Sequence, residues 1–204
     1  MVDFNSIMRG IVGLKRDEIL WLVLILACLC PLLRYQSQPG RQAEPPLSWP
    51  GHLNRGEGFT VLLFVHPGCP CTRAGLRQLE RLTARDWPGL KTYAIFSTPR
   101  GVERDFHQTD LWRLAQSIPR VTAFLDRDGR IGREFGCFTS GQVLLYDGEG
   151  HLRFSGGVTA SRGHEGDSIG VEAITRHLKY LEGVSSTEVY GCPLFSERDS
   201  FCQK

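Results

Sequence analysis

The chain has 204 residues, with 24 Lys and Arg against 22 Asp and Glu, for a net charge of +2. So even a balance gives no electrostatic ground for a nucleic-acid or acidic partner, and 41% hydrophobic with 23% charged residues is ordinary globular composition. The length suits one well-cored domain with attachments and is short for two.

The first feature in chain order is the uncharged run ILWLVLILACLCPLL, Ile19–Leu33, preceded by Arg9, Lys15 and Arg16. The run is shorter than the ~20 apolar residues a spanning helix wants. A thin bilayer, or Arg34 and Tyr35 at the interface, makes up the difference. The basic residues ahead of it favour retention of the N-terminus in the cytoplasm, a bias reduced by Asp17, Glu18 and Arg34. Residues 1–18 are therefore read as a cytoplasmic tail and 19–35 as a single-pass anchor or signal segment in the inner membrane, with the remainder facing the periplasm or an equivalent space. A cleaved signal peptide is an alternative without a clear small-residue cleavage site. A second is a lipoprotein: ILAC, Ile25–Cys28, resembles a lipoprotein box that would acylate Cys28. A buried core helix of a cytosolic domain is the third. Cys28 and Cys30 are also at home in an apolar helix simply as small hydrophobes.

Residues 36–52 include SQPGRQAEPPLSWPG, whose prolines and polar residues predict an extended linker. The folded domain is expected over 53–183. FTVLLFVH, Phe59–His66, is too short for a helix and reads as a buried central strand. From Cys71 to Ala84 the residues Ala74, Leu76, Leu79 and Leu82 recur at helical spacing. Leu90–Thr98 reads as a second strand, followed by a helical pattern through Phe106, Leu111, Leu114 and Ala115. Such alternation predicts a parallel sheet with helices on its faces. VTAFLDRDG is a short strand and turn, and RIGREFG suits one or two helical turns. QVLLYDGEGHLRFSGG holds two alternating runs around an Asp-Gly turn, hence an antiparallel hairpin. A last helix, Val171–Leu181, is expected to bury Val171, Ile174, Leu178 and Leu181. Residues 184–204 form a cysteine-containing tail.

The chemistry concentrates in FVHPGCPCTRAGL, Phe64–Leu76, where a buried strand hands over to a helix. Unpaired N–H groups and the positive end of the macrodipole stabilise a thiolate there, so Cys69 is expected to be activated. Pro70 suits a helix start because it has no N–H to leave unpaired. A protonated His66 pointing at the sulfur would lower the thiol pKa further. Cys69 and Cys71 can also be read as a metal clip, a structural disulfide or two inert thiols. A one-residue loop gains little as a structural disulfide, whereas a short, strained bond is easily reduced and suits redox work.

The order of strand, thiol motif, helix, strand, helix, strand, hairpin and helix resembles the thioredoxin-like superfamily, in its TlpA-like form with an inserted strand and helix. FVHPGCPCTRAGL, FGCFTSGQVLLYDGEGHLRFSGG, SRGHEGD and YGCPLF together resemble the thioredoxin-like proteins known as RedB, over roughly Leu53–Phe195. The resemblance implies an α/β fold with a central mixed sheet ending in a β-hairpin, helices on both faces, and thiol-disulfide exchange. It puts Cys69 in the nucleophile's place, with Cys71 at a spacing of two rather than three. It also puts Pro70 and the run Thr139, Ser140 and Gly141 where substrate peptide is bound, with Gly141 replacing the usual cis proline. Loss of that proline raises the metal-binding alternative.

Other residues carry weaker signals. GGVTASRGHEGDSIG, Gly156–Gly170, is a solvated loop or one that folds over the thiols, with Arg162 or His164 tuning them. Cys137 is a buried small hydrophobe or a third, resolving thiol. Cys192 can pair with Cys202 or Cys137. His107 and His177 fall in charged helical segments and read as solvated. The sequence thus predicts a membrane-anchored extracytoplasmic thiol-disulfide oxidoreductase acting on protein thiols and disulfides, with no cofactor and no nucleic acid. The alternatives are a copper-binding carrier using Cys69, Cys71, His66 and His164, or a single-cysteine peroxidase-like protein.

Overall fold

The structure, a computed structural model, describes residues 15–51, 53–98 and 107–195. Of the tail expected over 1–18, residues 1–14 lie outside them, as do Phe106 and Cys202. Two compact units divide at Gln38.

The first unit holds helix α1, Arg16–Ser37, whose 22 residues include Pro31 and none that is buried. Glu18 accepts the Lys15 N–H at 2.9 Å and closes the first turn. At 1.5 Å per residue the helix is about 33 Å long, matching a bilayer's hydrocarbon thickness. It is long and apolar enough to cross a membrane, as the core of a signal sequence also is.

The second unit is built on a five-stranded sheet. Its elements are β1 Thr60–Val65, α2 Thr72–Thr83, β2 Lys91–Thr98, α3 Asp110–Ser117, β3 Val121–Arg127, α4 Arg130–Glu134, β4 Gln142–Tyr146, β5 Leu152–Gly157 and α5 Ile169–Tyr180. The strand order is β3-β2-β1-β4-β5. β1, β2 and β3 run parallel, while β4 and β5 are antiparallel to their neighbours. β1 is buried along its whole length because it lies in the middle with both faces covered.

Alternation along β1 divides the core in two. Val61, Leu63 and Val65 pack with Leu76, Leu79 and Leu82 of α2, Leu111 and Ala115 of α3, and Ala173 and Ile174 of α5. Leu62 and Phe64 point the other way, into a cluster with Ile95, Phe135, Cys137, Leu144, Tyr146 and Leu194.

The stretch read as a linker and the tail after α5 are both packed onto this second unit. In the proline-rich stretch, Trp49 sits edge-on to Phe135 and Tyr146 at 5.3 and 5.2 Å, and Tyr146 Oη donates to Pro46 O at 2.9 Å. Prolines made the stretch look like a linker, yet an extended backbone with one large aromatic anchor docks readily on an aromatic cluster. The tail after α5 also returns to the sheet, with a parallel bridge between Ser155 and Ser186. Leu181, expected in the core, is 69% exposed, because it ends α5 in the left-handed conformation at φ 58°. His177, expected at a solvated face, is buried, with Nε2 3.3 Å from Val184 O.

Candidate functional site

β1 delivers the chain to the end of the sheet, where Pro67 and Gly68 turn it and the Cys69 N–H donates to His66 O at 3.0 Å. The Thr72 N–H donates to Cys69 O at 3.1 Å and the Arg73 N–H to Pro70 O at 3.2 Å, so the Cys-Pro-Cys turn winds directly into α2. Pro70 is exposed at a position where no N–H is needed. This is the local arrangement that the spacing predicts.

Cys69 is completely buried. Burial alone would push its thiol up, but hydrogen bonding by the side chains of Thr72 and Cys192, and by their backbones, holds it below the ordinary thiol value. Cys71 is half-buried and moves the opposite way: burial and then the neighbouring Cys69 charge raise it, against a lowering by Arg162. Cys192 is pushed up to about 12, first by burial and then by its hydrogen bond to Cys69. The three sulfurs are thus driven apart, Cys69 downward and its neighbours Cys71 and Cys192 upward.

His66 lies in the turn, where its Nδ1 accepts the Gly68 N–H at 3.1 Å and burial lowers its pKa. A neutral ring is not the protonated partner expected from sequence. Ser140 is fully buried; its Oγ accepts the His66 N–H at 2.8 Å and lies 2.6 Å from Thr72 Oγ1. Gly141 donates its N–H to Phe64 O at 2.8 Å with φ at +93°, a conformation that favours glycine. Thr139 Oγ1 donates to Arg41 O at 2.6 Å. Ser140 and Gly141 thus lie against the thiol turn, while the Thr139 side chain bonds the stretch before the sheet.

Cys137 is buried in the second core cluster, its Sγ 3.6 Å from Phe135 O, and burial pushes its thiol well up. The sulfur that does reach Cys69 is Cys192. The glycine-rich loop also comes to the site, since the Arg162 guanidinium donates to Gly191 O at 2.5 Å and lowers both Cys71 and Cys192. Its anchor at the other end is Gln78 of α2, which donates to Gly166 O. His164 is exposed on that loop.

The four alternative metal ligands, Cys69, Cys71, His66 and His164, do not converge. Among the described residues, the one group of three with ligand atoms within 4.8 Å of each other is Asp147, Glu149 and His151 in the hairpin turn. There the Asp147 carboxylate is already engaged by Arg153 Nε at 2.6 Å and by the N–H groups of Glu149 and His151.

No protein-family model and no curated protein matches the sequence. Among solved structures, an uncharacterized conserved protein from Geobacillus kaustophilus aligns over 79% of this chain and 93% of its own, at 17% identity and a TM-score of 0.56. A hypothetical protein from Sinorhizobium meliloti aligns over 78% of this chain and 96% of its own, at 17% identity and a TM-score of 0.53. A secreted disulfide oxidoreductase from Mycobacterium tuberculosis aligns over 60% and 81%, at 15% identity and a TM-score of 0.41, too distant to bear on chemistry. Similarity at these identities speaks to fold alone. The mixed sheet, with a Cys-Pro-Cys turn at the end of its central strand, an antiparallel hairpin beside that strand and helices on both faces, is a thioredoxin-like fold.

Proposed function

We propose that the protein is a thiol-disulfide oxidoreductase, anchored to the membrane by α1 and exchanging disulfides with protein thiols on the extracytoplasmic side. The observation that carries this reading is the Cys69 sulfur at the strand-to-helix turn, buried there and held below the ordinary thiol value by Thr72 of α2 and Cys192 of the tail, with a second thiol two residues on. The thiolate is the form that attacks and leaves in disulfide exchange, so lowering its pKa serves both steps. Cys71 is the neighbouring thiol that the spacing assigns as partner. The Thr139–Gly141 backbone that the resemblance assigns to substrate peptide is paired with residues 192–194 of the chain's own tail. The four sequence blocks resembling RedB support the same assignment. For location, the basic residues before α1 support export of the second unit.

The test is the release of free thiol from a model disulfide by the full-length protein in detergent. Cys69→Ser is expected to reduce the rate to the uncatalysed background. Exchange at the wild-type rate in that variant would overturn the reading.

A further inference from the structure

The position of Cys192 is built by the chain on both sides of it. Running beside β5, the tail accepts the Ser155 N–H at Ser185 O at 2.9 Å, and Thr187 Oγ1 donates to Gly157 O at 2.8 Å. At Gly191 it crosses so close to the Thr139–Gly141 loop that a Cβ there would fall 1.7 Å from Ser140 O, which only glycine avoids. Residues 192–194 then pair with 138–140. The Ser140 N–H donates to Cys192 O and the Leu194 N–H to Phe138 O, both at 2.8 Å, with an antiparallel bridge between Thr139 and Pro193. Arg162 clamps Gly191 O from the glycine-rich loop. Held this way against Ser140, whose Oγ touches Thr72 of the thiol turn, Cys192 lies beside Cys69, close enough for its thiol and its N–H to lower the Cys69 pKa. Cys69 has no exposed surface, whereas Cys192 is half-buried. A pocket of about 240 Å³ lies against Gly191 and Pro193, the residues flanking Cys192, and Arg162 and Phe138 also line it.

We propose that Cys192 is a third redox thiol, that the Cys69–Cys192 disulfide is the oxidised form of the site, and that Cys192 is the sulfur a substrate dithiol meets. This rests on the reading of Cys69 as the redox thiol and extends it to the partner and the route of access. In the oxidised form a substrate thiolate attacks Cys192 Sγ, the bond to Cys69 breaks, and its electron pair stays on Cys69 as thiolate. The second substrate thiolate then attacks the first substrate sulfur, closing the substrate disulfide and releasing Cys192. Two electrons pass from the substrate to the protein. Of the two protons the substrate gives up, one ends on Cys192 and the other on Cys69 or in solvent, according to whether Cys69 is ionised. Run backwards through the same bonds, the exchange reduces a substrate disulfide.

Leaving-group chemistry favours attack at Cys192 over attack at Cys69, because the more acidic thiol leaves faster. Cys69 has the donors that make it the better leaving group. Exposure points the same way, since Cys192 keeps part of its surface open and Cys69 none. The competing product, a Cys69–Cys71 disulfide, closes a one-residue loop.

The experiment uses full-length protein in detergent, equilibrated with glutathione buffers of varied ratio, alkylated, and mapped by peptide mass. Wild type is expected to yield a Cys69–Cys192 disulfide, which still forms in Cys71→Ser. Cys192→Ser is expected to lose the intramolecular disulfide and to hold glutathione on Cys69 instead. A Cys69–Cys71 disulfide in wild type that persists in Cys192→Ser would overturn the role of Cys192 and leave exchange at Cys69 standing. Failure of Cys69 to enter any disulfide in all three proteins would overturn the oxidoreductase reading itself.

Discussion

At the residue scale, the chemistry of Cys69 is a contest between burial and donors, and the donors prevail. The Thr72 hydroxyl is the largest of the favourable contributions, and it is fixed by its 2.6 Å contact with Ser140 Oγ. Thr72→Val keeps the shape and removes the donor. Hydrogen bonds to a charged group are worth about 1.5–3 kcal/mol, so the variant should lose on the order of tenfold or more in Cys69 alkylation rate at neutral pH. Its alkylation profile should shift to higher pH, as a less stabilised thiolate requires; an unshifted profile would remove Thr72 from the account. Cys69 and Cys71 were legible in the sequence because a strand handing over to a helix is a local event, and Pro70 marks it. Cys192 was not, because only a contact between distant parts of the chain brings it there. Gly191 was the available signal, and its meaning depends on how closely the Ser140 carbonyl approaches.

At the scale of elements, the strand and helix positions followed from apolar periodicity, which is set by each element's own geometry. The proline-rich stretch and the tail lacked any periodicity, and both are ordered by what they dock against. Tail docking has a direct test in Gly191→Ala. A Cβ at 1.7 Å from the Ser140 carbonyl must displace one backbone from the other. The variant should expose Cys69 and speed its alkylation in the folded protein at a pH where both proteins carry thiolate. An unchanged rate would mean that the tail does not shield the sulfur.

The hairpin turn gives a second prediction at this scale. Burial alone would raise the Asp147 carboxyl, but the His151 N–H and the Arg153 guanidinium hold it below its ordinary value. A depressed carboxyl contributes stability that is present above the unfolded pKa of about 3.9 and is lost as pH falls through the lower folded value. Asp147→Asn should therefore destabilise the domain at neutral pH, by about 1.5–3 kcal/mol for a charge-assisted hydrogen bond. The gap to wild type should close as the pH is brought below that of the unfolded carboxyl. A gap independent of pH in chemical denaturation would contradict the assignment.

At the scale of the whole molecule, the chain divides at Gln38 into a unit holding one long apolar helix and a unit holding the thiol site. All of the large apolar side chains exposed between Ile19 and Tyr35 belong to α1, and the cysteines at the thiol site all belong to the second unit. Deleting residues 1–38 should release the protein from sedimenting membranes; retention of the shortened chain would indicate another attachment. The apolar run was legible in the sequence, and so was the order of strands and helices along the chain. The second unit's chemistry turns on whether its central thiol cycles between thiolate and disulfide. The most direct measurement is the reduction potential of Cys69 in the full-length protein, taken by alkylation after equilibration with thiol buffers poised from about −300 to −100 mV. A single reversible transition with a slope of about 30 mV per tenfold change in ratio, as a two-electron couple requires, is the predicted result. Cys69 remaining freely alkylated at every potential would contradict it.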